Sequence, residues 1–424
     1  MSQQLLVGLD LGSSRIRLAM GQVSHTAERG LSLSVVGAVD VPSQGISKGV
    51  VTALEDAVGA ISAGLEQAER HVGSPIEEAV VGIGGAHISV MASKGVVGVS
   101  RPDREVRPED VERVMEEARG VANPANHEIL HVLPHGFVVD GQSGIHDPVG
   151  MHGIRIEANA HLVLGIAGNV RNMTKCVFRT GLDIASLVFG PMASALAVTS
   201  SRERELGVCV VNLGASTTSI LVYEDGELVH AKVLPIGSDH ITSDIAIGLR
   251  TSLKIAEDVK LLKGSALPES FGKRDEIDMV EFGAEQSELV SLQYVAEIIH
   301  ARLEEIFEKV EEELRSADRS GLLPAGVVLT GGGAKLQGTV EVARSVLRLP
   351  ASIGTASHIH TPMPEYVHDP AFSVAVGLVQ WGFDELRGGH TSPSFISGGL
   401  LKAGGGIAGK IGSSVKKIFK SFIP

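Results

Sequence analysis

Three short stretches carry the residue types that hold a polyphosphate. Residues 207–223, GVCVVNLGASTTSILVY, run apolar from Val208 to Val211 and turn through Gly214, Ala215, Ser216, Thr217 and Thr218. They leave through a second apolar stretch, Ile220 to Tyr223. A strand, a turn of small hydroxyl residues and a second strand bring bare backbone N–H groups up to an anion, which larger side chains would block. The chain begins the same way. In LVGLDLGSSRIRL, residues 6–18, Asp10 aligns with Asn212 and Gly12 with Gly214 at one offset. The third stretch is a strand at 327–329 that ends in Thr330, Gly331, Gly332, Gly333 and Ala334, followed by a helix over 339–347. Glycine there lets a flat or charged ligand lie against backbone at a helix N-terminus. The two matched loops point to two related halves gripping one polyphosphate.

The elements that must position these turns follow from periodicity. Residues 5–23 form a hairpin around the first turn, with a third strand over 31–39. Leu54, Val58, Ile61, Leu65 and Ala68 fall on one stripe and predict a helix over 52–71. Residues 79–83 make a buried strand. From Gly84 to about Leu162 the texture changes to short strands (87–91, 95–100, 129–133, 136–139 and 155–164). One helix there starts at Pro108, with Glu109 and Asp110 in its first turn. This is a small α+β insertion. The scaffold resumes with a helix over 170–180, a strand over 185–189 and a helix from Met192. A long helical region is expected over 242–263 and a second over 288–316, whose exposed face carries a run of glutamates.

At 424 residues the chain is too long for one core. A net charge of −13 argues against binding nucleic acid through the surface at large. Cys176 and Cys209 sit in apolar sequence and are expected as reduced core thiols. No Cys/His spacing matches a zinc site. The N-terminus lacks a signal peptide, and no apolar run reaches the roughly 18 residues of a spanning helix.

The C-terminus differs from the acidic body. No acidic residue follows Glu385, and 390–406 is rich in Ser, Gly and Pro, as a flexible linker is. In the closing GGIAGKIGSSVKKIFKSFIP, the residues Ile407, Ile411, Val415, Ile418 and Phe422 share one helical face, flanked by Phe419 and Ile423. Lys410, Lys416, Lys417 and Lys420 lie on the others. A basic, amphipathic, tethered helix suits a membrane interface, where each Lys near an anionic leaflet contributes about 1 kcal/mol. The bland alternative is a helix docked on the protein's own core.

In combination these motifs resemble the actin/heat-shock-protein-70/sugar-kinase ATPases and, within them, the bacterial FtsA cell-division family. GLDLGSSRIRLAMGQV is similar to the first phosphate loop, VCVVNLGASTTSILVY to the second, and GVVLTGGGAKLQG to the adenosine motif. GSDHITSDIAIGLRTSLKIAEDVKLLKG is similar to the helix with ribose and adenine contacts, and residues 129–163 to the far half of the family's inserted domain. The resemblance implies an α/β fold of duplicated ribonuclease-H-like halves with an inserted α+β subdomain. It divides the chain into a first subdomain (1–83, 163–193 and 368–388), the insertion (84–162), a nucleotide-binding subdomain (194–235 and 316–367) and a small top subdomain (236–315). A linker (389–405) and the membrane helix (406–424) complete it.

ATP with Mg²⁺ is the implied cofactor. Gly12, Ser13, Ser14 and Arg15 would meet phosphate from one side and Gly214, Ala215, Ser216 and Thr217 from the other. Gly331, Gly332, Gly333, Ala334 and Lys335 would pack on the adenosine. Glu257 and Lys260, one helical turn apart, would reach the ribose and base. Asp10 would act through water on Mg²⁺, which prefers oxygen ligands. The implied partners are the FtsZ tail peptide, other copies of the chain in filaments, anionic lipids and later division proteins, at the cytoplasmic face of the inner membrane at the septum. Arg302 is the candidate contact for the acidic FtsZ tail, with a pairing to Glu305 as the ordinary alternative.

Two positions depart from the wider pattern. The second phosphate loop begins with Asn212 in place of Asp, which loses a charge near Mg²⁺. Gly190 stands where many relatives carry a water-directing Glu, so hydrolysis is expected to be weak or absent. A small-molecule kinase or a pilus-assembly-type adaptor of the same fold is the alternative, although neither needs a basic membrane helix. Full-length protein should co-sediment with anionic liposomes, and a chain ending at Gly389 should not. Undiminished binding by the shortened chain would remove the terminal helix from the membrane role.

Overall fold

The computed structural model describes residues 4–26, 30–121, 124–272 and 274–387. The terminal helix and linker expected from the sequence lie outside these residues. The first half opens with an antiparallel meander, β1 (Gln4–Leu11), β2 (Arg15–Thr26) and β3 (Gly30–Pro42). A two-rung ladder of β4 (Ile46–Ser47) and β5 (Val50–Val51) then leads to α1 (Leu54–Val72). Ala57, Ile61, Gly64, Leu65 and Ala68 form the buried face of α1, which ends on Gly73 in the left-handed region that glycine tolerates. β6 (Glu78–Ile83) runs parallel to β1.

The insertion follows as β7 (Ile88–Gly98), α2 (Pro108–Val121), β8 (His127–Val139), β9 (Gln142–Ile145) and β10 (Arg155–Ile166). Its strands order as β7-β10-β8-β9, and α2 closes its separate core over residues such as Val114, Met115, Phe137 and Ile156. The four short strands expected at 87–100 and 129–139 are two long ones. β8 continues through Pro134 because the register against β10 shifts between Ala158 and Ala160, and an irregularity there absorbs the missing N–H. The chain returns through α3 (Ala167–Arg179), β11 (Asp183–Phe189), which pairs with β6, and α4 (Gly190–Val198).

The second half repeats the first. After α5 (Ser201–Leu206) come the meander β12 (Val208–Leu213), β13 (Thr218–Glu224) and β14 (Glu227–Leu234), then α6 (Ser238–Gly248) and α7 (Leu253–Lys263). A small hairpin, β15 (Glu276–Asp278) with β16 (Leu289–Ser291), precedes α8 (Leu292–Ser316). β17 (Val327–Thr330), α9 (Thr339–Leu347), β18 (Ala351–Ile353), α10 (Pro364–Val367) and α11 (Ser373–Leu386) complete the chain. The two five-stranded sheets, β3-β2-β1-β6-β11 and β14-β13-β12-β17-β18, have one topology: three antiparallel strands, then two parallel ones. This is the duplicated ribonuclease-H-like arrangement. The helical region expected over 242–263 is two helices. It breaks at residues 249–252, where Arg250 takes φ +50° and Ser252 caps α7 by accepting from the Ile255 N–H.

The halves meet where α4 and α11 cross. A Cβ on Gly377 would lie 1.9 Å from the carbonyl oxygen of Ala193, so the two helices touch through backbone. The core around this crossing draws Ala19 and Val35 from the first half and Val208, Val210 and Val328 from the second.

Candidate functional site

The register places the sequence-predicted turns at one level. Asp10 pairs with Gly82 of β6, and Asn212 pairs with Thr330 of β17, so each head residue sits beside the strand end that opens into a glycine turn. Gly12 and Gly214 share a local geometry. A Cβ on Gly12 would meet the Arg15 carbonyl oxygen at 2.5 Å, and one on Gly214 would meet that of Thr217 at 2.9 Å. The Gly214 N–H itself donates to the Thr217 carbonyl at 2.9 Å. Neither glycine position has room for a side chain.

The third turn lies directly on the second. Gly331 has φ +85°, and a Cβ there would lie 2.4 Å from Asn212 Oδ1. One on Gly333 would strike the Leu213 side chain at 2.5 Å. Gly332 and Lys335 are exposed beside buried Gly333 and Ala334. From the other side α6 abuts the second turn. The Ser238 and Asp239 N–H groups donate to the Gly214 and Ala215 carbonyls at 2.9 and 2.8 Å.

Glu257 and Lys260 meet as the one-turn spacing requires. Lys260 is 6% exposed, and its Nζ lies 2.6 Å from Glu257 Oε2 and donates to Thr242 Oγ1 at 2.7 Å. The Thr242 hydroxyl in turn donates to Glu257. Thr242 was not singled out by sequence because it lies a helix away, across the break at Arg250.

The cations nominated from sequence are held by carboxylates. Arg15 Nε and Nη2 each donate to Asp40 at 2.9 Å, a bidentate pair across the β2–β3 ladder. Lys335 pairs with Asp369. Arg302 forms the expected pair with Glu305 and also donates from Nη2 to Asp244 Oδ1 at 2.9 Å, so it stands apart from the three turns, between α8 and α6. Asp10 faces the opposite situation. Burial pushes its carboxyl up to about 6, against the pull of Arg17 beside it, and Asp40 adds to the rise. No cluster of three or more His, Cys, Asp or Glu side chains among the described residues could hold a metal alone. Gly190 opens α4 with no side chain. A Cβ there would meet Val374 Cγ1 at 3.3 Å and the Ile83 carbonyl oxygen at 3.6 Å.

The family model described as cell division protein FtsA matches residues 209–377, and that of the SHS2 domain inserted in FtsA matches residues 85–164. The cell division protein FtsA of Pseudomonas aeruginosa is 37% identical over 388 residues, covering 92% of this chain and 91% of its own. The chain belongs to the FtsA family. The FtsA of Bacillus subtilis is also 37% identical over 388 residues, covering 91% of this chain and 85% of its own. That of Escherichia coli K12 is 35% identical over 395 residues, covering 92% of each. Among solved structures, the PilM-PilN type IV pilus biogenesis complex superposes with a TM-score of 0.65 at 18% identity, covering 89% of this chain and 98% of that one. MreB5 of Spiroplasma citri bound to ADP superposes at 0.52 and 13% identity, covering 91% and 97%. Both likenesses concern the fold, which is the actin-like one that this FtsA-family chain was expected to have.

The raised Asp10 carboxyl gives a signed expectation for metal-free, nucleotide-free protein. A folded-state pKa above the unfolded value means that the ionised carboxylate opposes folding, so this group's contribution improves as pH falls from about 6 toward 4. Asp10→Asn should therefore melt a few degrees higher than the parent at pH 7.5, with the gap closing near pH 4. A lower melting temperature for the variant at pH 7.5 would mean that the carboxylate is compensated after all.

Proposed function

We propose that the protein is an ATP-binding adaptor of cell division. It forms filaments, docks on the cytoplasmic face of the inner membrane at the septum, tethers FtsZ filaments there and recruits later division proteins. The observation that carries the nucleotide part is the pair of matched turns, Gly12–Arg15 and Gly214–Thr217, each headed by a glycine with no room for a Cβ and set at the ends of equivalent strands. Gly331 to Ala334 and the Thr242–Glu257–Lys260 group would take the adenosine side. Nucleotide binding is supported by the solved fold neighbour whose title names bound ADP.

Mg²⁺ fits this site. Asp10 is a desolvated carboxylate that a cation would stabilise, and Mg²⁺ is commonly held by one or two carboxylates together with phosphate and water. Asp10 and the Asn212 amide oxygen, each at the head of its own loop, would hold the ion's waters, and the ion would neutralise phosphate charge. The chain's own residues favour holding ATP over hydrolysing it. Asn212 brings no charge, and Gly190 offers nothing to orient water, so kcat should lie below about 1 s⁻¹.

The insertion supplies the filament contact in this reading, and residues 236–315 supply the FtsZ-tail site. Residues 236–315 expose Ile247, Leu253, Leu261 and Leu262 and carry the partly buried Arg302 on α8. An acidic tail would exchange places with Asp244 or Glu305 on the guanidinium. No helix among the described residues is long and apolar enough to cross a membrane, so attachment falls to the terminal segment.

The test is recruitment. With ATP and anionic vesicles, the full-length protein should bring FtsZ filaments into the vesicle pellet. Arg302→Glu should lose at least fivefold of the FtsZ while still pelleting itself. FtsZ absent from the parent pellet would defeat the tethering reading. FtsZ undiminished with Arg302→Glu would move the tail site elsewhere.

A further inference from the structure

One turn touches both phosphate loops and belongs to neither. Between β4 and β5 the chain reverses through Ser47, Lys48 and Gly49. The Lys48 N–H donates to Ser216 Oγ at 3.2 Å, and the next N–H, that of Gly49, donates to Ser13 Oγ at 3.3 Å. Two consecutive backbone donors thus join hydroxyls 203 positions apart in the chain, one from each half. Each serine accepts from the turn, which leaves its own proton to give. A hydroxyl that accepts from a fixed N–H and donates to an anion is oriented before the anion arrives.

The turn is a two-residue hairpin, whose central positions both take positive φ. Gly45, Lys48 and Gly49 have φ of +71°, +50° and +77°, and a lysine at positive φ is uncommon. Backbone that holds such a residue does so against a cost, and these positions gather where function constrains the chain. Lys48 is exposed and has no ion-pair partner among the described residues. That sets it apart from the other basic side chains near the cleft. Arg15 is committed to Asp40, Lys335 to Asp369, and Lys260 to Glu257 and Thr242. A triphosphate brings several negative charges, and each committed cation must give up a carboxylate to serve it.

The turn also leans on the root of the inserted domain. The Ala86 N–H donates to the Lys48 carbonyl at 3.2 Å. A Cβ on Gly49 would lie 1.9 Å from the Gly84 carbonyl oxygen, and one on Gly85 would lie 2.4 Å from that of Lys48. Two residues on, the Ile166 N–H of the returning strand donates to the His87 carbonyl at 3.3 Å. The chain into and out of the insertion is therefore bonded, step by step, to the turn between the two serines.

We propose that the turn at Ser47, Lys48 and Gly49 is a third phosphate-facing element. It orients Ser13 and Ser216, presents Lys48 to the terminal phosphate of a nucleoside triphosphate, and passes the presence of that phosphate to the root of the insertion at Gly84–Ala86. This rests on the nucleotide reading above and adds to it a residue that distinguishes triphosphate from diphosphate.

The experiment measures binding of fluorescent ATP and ADP analogues, with Mg²⁺, to the full-length parent, Lys48→Gln and Lys48→Gly. Glutamine removes the charge at similar size. Glycine removes the side chain and relaxes the positive φ, which guards against a folding defect. Both variants should lose about tenfold or more in ATP affinity and less than threefold for ADP. Hydrogen exchange at residues 84–88 should slow with ATP more than with ADP in the parent, and the two nucleotides should act alike in the variants. An ATP-to-ADP preference within twofold of the parent in both variants would overturn the inference while leaving the nucleotide site standing. A parent that binds neither nucleotide would overturn both.

Discussion

The structure depends on keeping two small patches of backbone bare. At Gly12 and Gly214 the carbonyl three residues on already occupies the space a Cβ would need, so the turns close tightly around these two glycines. That constraint is met twice by one design: a strand delivers the turn, an antiparallel partner carries the chain away, and a parallel strand alongside ends in glycine. The register that sets Asp10 opposite Gly82 and Asn212 opposite Thr330 keeps the two copies in step. The buried apolar runs of β1 and β12 exist to hold these ends still.

Within that symmetry the charges are uneven. The first half brings Asp10, desolvated and reluctant to ionise, among Arg15, Arg17 and Asp40. The second brings the neutral Asn212, with its amide oxygen against the third glycine turn. One ionised head in place of two lessens the repulsion a polyphosphate meets on entry. Under the proposed reading it would also remove a fixed partner for a bound metal's water shell, which Gly190 could not replace. On the nucleotide reading proposed above, the same set of residues favours retention over turnover.

Much of this was legible in the chain because it is local. The offset that aligns Asp10 with Asn212, the small residues of each turn and the stripe on α1 are all properties of short windows. What escaped was decided across long separations or by single backbone angles. The break between α6 and α7 turns on Arg250 at positive φ. Pro134 reads as an interruption, yet it sits inside β8 because β10 shifts register beside it. Arg15 reads as a free cation, but Asp40 waits 25 positions away on the adjoining strand. The turn at Lys48 carries no apolar pattern and gains its meaning only from serines in both halves.

The contact of Gly377 with Ala193 has a mechanical meaning. Helices separated by side chains can slide, since interlocking groups have neighbouring positions to fall into. Where backbone rests on backbone there is no such second seat, and translation would drive a carbonyl into a Cα. The remaining freedom between the halves is a turn about that point. The crossing of α4 and α11 would then serve as a fulcrum between the two halves.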